Sequence, residues 1–132
     1  MEQVLTDQQL NEFKRLLKER YRALREEIRA ELLRSDEEQY LELAGRVHDV
    51  EEQAMADLLV DLNLASIDRH IQEIRDIDAA LIRIAEGSYG ICSDCERPIE
   101  IERLKAYPTA KRCRACQENY ERTHLGPGSP SL

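Results

Sequence analysis

The residues of this chain best placed to do chemistry are its four cysteines. Cys92 and Cys95 form one C-x-x-C pair, Cys113 and Cys116 a second, with seventeen residues between them. Two such pairs predict a tetrahedral four-cysteine zinc site, because each presents two thiolates toward one point and the metal closes the loop between. Large apolar residues are few in this segment, so one Zn2+ is expected to supply much of its folding free energy. Two disulfides would use the same residues but need an oxidising compartment. A thioredoxin-like redox pair would need a strand-to-helix junction that the sequence does not offer. Four thiolates leave no open position for water or substrate, so the zinc is expected to be structural.

Nothing else in the chain assembles a reactive set. His48, His70 and His124 have no ligand partner at useful spacing and read as surface histidines. There is no Gly-rich phosphate loop and no Ser/His/Asp arrangement that a sequence could support. The expectation is a protein that is not an enzyme.

The elements that position the cysteines read as helices. From Thr6 to about Glu86 there is no Pro, and Gly45 is the only Gly. Leu10, Phe13, Leu17, Tyr21, Leu24, Ile28 and Leu32 make one apolar stripe. Val60, Leu64, Ile67, Ile71, Ile74, Asp78, Leu81 and Ala85 keep the same spacing, broken once by Asp78. Both stripes suit helix-on-helix packing. Thr6 is a candidate N-cap with Gln9 in the first turn. Ser35-Asp36-Glu37-Glu38 fits a capping box, but an unbroken first helix to about Leu43 is favoured. The turn is then expected at 44–49, with Gly45 left-handed and Asp49 capping the returning helix.

The fold class is therefore mainly α: a long antiparallel helical hairpin, or coiled coil (1–86, tip near 44–54), joined to a small four-cysteine zinc-finger module (87–125). A short closing helix from about Lys111 to Arg122 and a flexible tail (126–132) complete the chain, and no internal repeat is visible. Its 132 residues allow one ordinary domain or two small ones, and no stretch reaches the roughly 20 apolar residues of a membrane span. The first ten residues lack the pattern of a signal peptide, so a cytoplasmic location is expected.

The run Tyr89-Gly90-Ile91-Cys92-Ser93-Asp94-Cys95 is followed by Pro98-Ile99, Arg103-Leu104-Lys105-Ala106 and Pro108-Thr109-Ala110-Lys111-Arg112-Cys113, ending in Cys116-Gln117. Preceded by a long helical hairpin, it closely resembles the DksA/TraR family of bacterial zinc-finger transcription regulators. The resemblance implies binding to RNA polymerase rather than to DNA, with the globular part at the rim of the secondary channel. It also implies that an acidic coiled-coil tip enters that channel and alters promoter complexes, often together with the alarmone ppGpp. The family's D-x-x-D-x-A tip motif falls on Asp49, Glu52 and Ala54, with Glu carrying the second carboxylate one methylene further out. Arg69 matches an Arg that family members turn toward the polymerase; on a helix it could equally pair with Glu73. Positions that are basic in ppGpp-binding members fall on Asp76, Tyr107 and Gln117, which implies weak or absent ppGpp binding.

The net charge of −8 argues against many DNA phosphate contacts. It is concentrated: residues 35–61 hold nine acidic residues and one base, Arg46, around the expected tip. Two other functions compete with the resemblance. A zinc-ribbon nucleic-acid binder would use Lys111, Arg112 and Arg114 against phosphate, from a module with seven basic and six acidic residues. A helical interaction protein would dimerise through its stripes, whereas a polymerase regulator is expected to be a monomer.

Overall fold

The computed structural model describes residues 5–62 and 65–124. The first helix, α1 (Asp7–Leu33), starts at a full capping box: the Thr6 hydroxyl accepts the Gln9 N–H, and the Gln9 side chain accepts the Thr6 N–H. Its stripe is buried as the spacing predicts, from Phe13 through Leu17, Tyr21, Leu24 and Ile28 to Leu32.

The expectation that this helix runs on to about Leu43 is corrected by the structure. It stops at Leu33, where the N–H groups of Arg34 and Ser35 fold back onto the carbonyls of Glu31 and Leu32. The Ser35 hydroxyl then accepts the Glu37 N–H at 3.1 Å, a local bond that competes with continued helix. A second helix, α2 (Glu38–Val47), begins there with Glu37 as N-cap. Gly45 lies inside α2 rather than in a left-handed turn. The turn falls at 48–51, and Glu51, not Asp49, is the N-cap of α3 (Glu52–Leu59). A 3-10 turn (Val60–Leu62) follows, and α4 (Ala65–Glu86) returns along α1.

α1 and α4 are the antiparallel helical pair. Arg20 meets Glu73 at 2.6 Å, and Phe13 lies against Tyr89, just beyond the end of α4, with ring centroids 5.6 Å apart. Between these helices the chain inserts α2, which packs back along α1, and α3, which packs on α4. Leu43, Ala44, Val47, Met55, Ala56 and Leu59 fill that added layer. On α4 the stripe shifts by one residue at Asp78: Ile77 and Ala80 take the buried positions. Val60 is exposed, and Leu64, like the expected flexible tail at 126–132, lies outside the described residues.

At its end α4 turns on Gly87, whose φ of 82° is left-handed, and the N–H groups of Ser88 and Tyr89 return to the Arg83 carbonyl. The cysteine module adds two short helices, α5 (Ile101–Ala106) and α6 (Arg114–His124). Tyr89, Ile99 and Leu104 join it to the core of α1 and α4.

Candidate metal centre and hairpin turn

The cysteines are brought together by two knuckles. In the first, the Cys92 N–H donates to the Arg97 carbonyl, the Glu96 N–H returns to the Cys92 carbonyl, and the Cys95 N–H points at the Cys92 sulfur at 3.5 Å. Glu96 takes a φ of 63° to close this loop. In the second, Cys113 precedes α6 and Cys116 lies in its first turn, with the Gln117 N–H on the Cys113 carbonyl. The knuckles are tied by the Ser93 N–H on the Lys111 carbonyl at 2.8 Å and by Arg112 paired with Asp94 at 2.8 Å. Arg112 also covers the Tyr120 ring at 3.9 Å.

All four cysteines are free of disulfides, and their sulfurs lie within 4.8 Å of one another. Tetrahedral zinc with bonds of about 2.3 Å requires sulfurs about 3.8 Å apart. Cys95 and Cys113 stand at 3.8 Å. The electrostatics also suit a cation. Burial would raise the Cys92 thiol, but N–H groups of Cys95, Cys113 and Asp94 together bring it down to about 6. Cys116 is pushed up to about 12 by the neighbouring sulfurs of Cys113, Cys92 and Cys95. Four thiolates this close repel one another, and a divalent ion among them removes that penalty. The donor set therefore fits zinc, held by Cys92, Cys95, Cys113 and Cys116. Among the described residues no histidine joins this group. His48 is exposed at the turn, His70 half-buried on α4, and His124 stacked on Tyr120.

The module is anchored to the helices by residues that spacing did not single out. Tyr89 is fully buried and donates its hydroxyl to the Pro108 carbonyl at 2.7 Å. Arg83, partly desolvated so that its pKa is lowered, reaches the Thr109 carbonyl at 3.4 Å. Within the module itself, Arg103 donates to the Arg112 carbonyl at 3.0 Å.

The acidic turn is not at the far end of the helices. Because α2 folds back, residues 48–51 lie beside the middle of α1, where the Tyr21 hydroxyl donates to the Val50 carbonyl. Asp49 and Ala54 are exposed, whereas Glu52 is buried and pairs with Lys18 at 2.6 Å. Asp78 stands close by: burial and the Glu52 charge raise its pKa. Lys18 and Asp78 were therefore missed as neighbours of the turn, although the break in the second stripe was a signal for Asp78. Arg69 is exposed on α4, and its i+4 neighbour Glu73 pairs with Arg20 instead. Asp76 accepts from Gln72, Tyr107 is 62% exposed beneath Arg103, and Gln117 donates to Glu121. Among the described residues no helix is long and apolar enough to cross a membrane.

Comparison with known proteins agrees with the four-cysteine assignment. Residues 87–122 match the prokaryotic dksA/traR C4-type zinc finger, which with the clustered sulfurs assigns one structural zinc ion to the site. The chain is 36% identical over 127 residues to the RNA polymerase-binding transcription factor DksA of Caulobacter vibrioides, covering 92% of this chain and 82% of the relative. It is 28% identical over 116 residues to DksA of Escherichia coli, covering 88% and 74%. The structure resembles transcription factor DksA2 of Pseudomonas aeruginosa with a TM-score of 0.61 and 26% identity, covering 91% of this chain and 88% of that one.

Proposed function

This chain belongs to the DksA/TraR family of C4-type zinc-finger proteins, and on that premise we propose that it binds RNA polymerase and regulates transcription. The observation that carries the reading is the 36% identity across 82% of a relative described as an RNA polymerase-binding transcription factor. In this reading the zinc module and the adjoining ends of α1 and α4 dock at the rim of the secondary channel. The acidic segment enters the channel, and Asp49, Glu52 and Ala54 form the tip that faces the catalytic centre. There the carboxylates change the electrostatic balance around the catalytic metal ions and so the lifetime of promoter complexes. Exposed Arg69 contributes a contact to the polymerase.

Charge supports a protein partner over nucleic acid. Of the three bases that could meet phosphate, Arg112 is held by Asp94 and Tyr120 and Arg114 lies within reach of Glu118, so each phosphate contact they made would compete with a carboxylate of the chain itself. Sequence-specific DNA binding is therefore not part of the proposal, and the protein acts as a monomer. The exposed carboxylate of Asp76, with neutral Tyr107 and Gln117, offers poor ground for a polyphosphate, so ppGpp binding is weak or absent.

The test is a pull-down with core RNA polymerase, repeated with Asp49→Asn and Glu52→Gln. Wild type and both variants are retained, because the rim contacts lie elsewhere. The change in promoter-complex lifetime falls about tenfold in the variants, equivalent to about 1.4 kcal/mol. Absence of wild-type binding to the polymerase overturns the proposal.

A further inference from the structure

Three features of the chain have no role in the reading so far. They are the Asp78 break in an apolar stripe, the extra methylene of Glu52 and the folding back of α2 and α3. All three meet at one place. Glu52, buried on the first turn of α3, forms a 2.6 Å ion pair with Lys18 of α1, next to Asp78 of α4 and to the Tyr21–Val50 hydrogen bond. Lys18 is thus the cation between two carboxylates from different helices. Without it, Glu52 and Asp78 repel each other in a partly desolvated site.

The segments that let the arm fold back are compatible with straight helix. Residues 34–37 and the 3-10 turn Val60–Leu62 contain neither Pro nor Gly. Straightened at both, α1 would continue into α2 over residues 7–47, about 60 Å long at about 1.5 Å per residue. In the folded-back state the far end is set by α1 itself, about 40 Å long on the same rise. In the folded-back state α2 packs on α1 and α3 on α4; in the straightened arm the apolar faces of α2 and α3 would have to cover each other. Val60, 51% exposed here, would then head the stripe that continues through Ile67, Ile71 and Ile74.

We propose that the contact of Glu52 with Lys18, beside Asp78, is an autoinhibitory latch that keeps the acidic turn folded against α1, and that its release straightens the arm and presents Asp49 and Glu52 at its end. The latch is a property of the free protein; its regulatory meaning rests on the polymerase reading above. The length of Glu52 is part of the device. An Asp at this position keeps the charge but withdraws the carboxylate by one methylene, out of reach of Lys18.

Amide hydrogen exchange and small-angle scattering on the full-length, zinc-loaded protein test this directly. Lys18→Met, which keeps the apolar stem, and Glu52→Asp each raise exchange at residues 50–58 at least tenfold and lengthen the particle, with residues 67–80 still protected. The charge-swapped pair Lys18→Glu with Glu52→Lys returns both readings toward wild type. Unchanged exchange and length in both single variants overturn the latch, and loss of protection at 67–80 overturns it as well, because the contact then holds the whole helical core. With core polymerase, Glu52→Asp is retained like wild type but changes promoter-complex lifetime several-fold more, since a larger fraction presents the carboxylates at the end of the arm. If no form binds polymerase while exchange still rises, the latch stands and the polymerase reading fails.

Discussion

Replacing Tyr89 by Phe removes one hydroxyl and tests how much that hydroxyl holds the zinc module together. The ring is fully buried against Phe13, 5.6 Å between centroids, and the hydroxyl donates to the Pro108 carbonyl at 2.7 Å. Pro108 lies between the two cysteine knuckles, so this bond ties the start of the module to its middle. A hydrogen bond of this kind is worth about 1 to 1.5 kcal/mol net. Tyr89→Phe should therefore lower the stability of the zinc-loaded protein by that amount, read from urea unfolding followed by far-ultraviolet circular dichroism. If the bond exists only when the module is folded around its metal, zinc affinity falls by about five- to tenfold in a chelator competition. Tyr89→Ala also removes the ring and its pairing with Phe13, a loss of about 3 to 5 kcal/mol. That is a large share of the stability of a domain this size. A Phe variant within about 0.5 kcal/mol of wild type, with unchanged zinc affinity, refutes the reasoning.

Chelation of the zinc should unfold residues 87–124 first, with α1 to α4 keeping most of the helical signal; hydrogen exchange by segment checks this. Gly90 has a φ of 84°, and a Cβ there would also meet the end of Leu5 at 2.9 Å, so Gly90→Ala should cost about 1 to 2 kcal/mol in urea unfolding. Gly45→Ala, inside α2 with open space around the new Cβ, should stabilise by about 0.5 to 1 kcal/mol in the same assay. Burial pushes Tyr21 up to about 12 and raises Tyr89 as well. Their contribution is complete below about pH 10, where unfolded phenols ionise, and drains away as the pH climbs through the folded values. Urea midpoints should fall as the pH rises from about 10 to about 12, and less so in the Tyr21→Phe/Tyr89→Phe double variant.

Much of this was legible in the chain because the signals were local. The C-x-x-C pairs carry their own spacing, Thr6 and Gln9 sit three residues apart, and the α1 stripe repeats from Leu10 to Leu32 along a 27-residue helix. What escaped was decided by competition between distant partners. Residues 34–37 have no helix breaker, so only the bond from Glu37 to Ser35 and the packing of α2 on α1 make the break. Gly45 looked like the turn because it is the only Gly in its region, yet a helix tolerates one Gly when both flanks are packed. Glu52 was readable as an acidic residue of the turn; that it is buried against Lys18, thirty-four positions earlier, depends on tertiary structure. Helix α5 is six residues long, too short for periodicity to declare.

The decisive question is where the acidic segment goes when the protein meets RNA polymerase. A photo-crosslinking residue at Gln53, exposed beside Glu52 at the last x of D-x-x-E-x-A, reports this without removing a carboxylate. Crosslinks from this position should reach polymerase segments lining the secondary channel and catalytic centre, with Glu52→Asp increasing their yield. Crosslinks confined to DNA or to the outer surface of the polymerase would contradict channel entry.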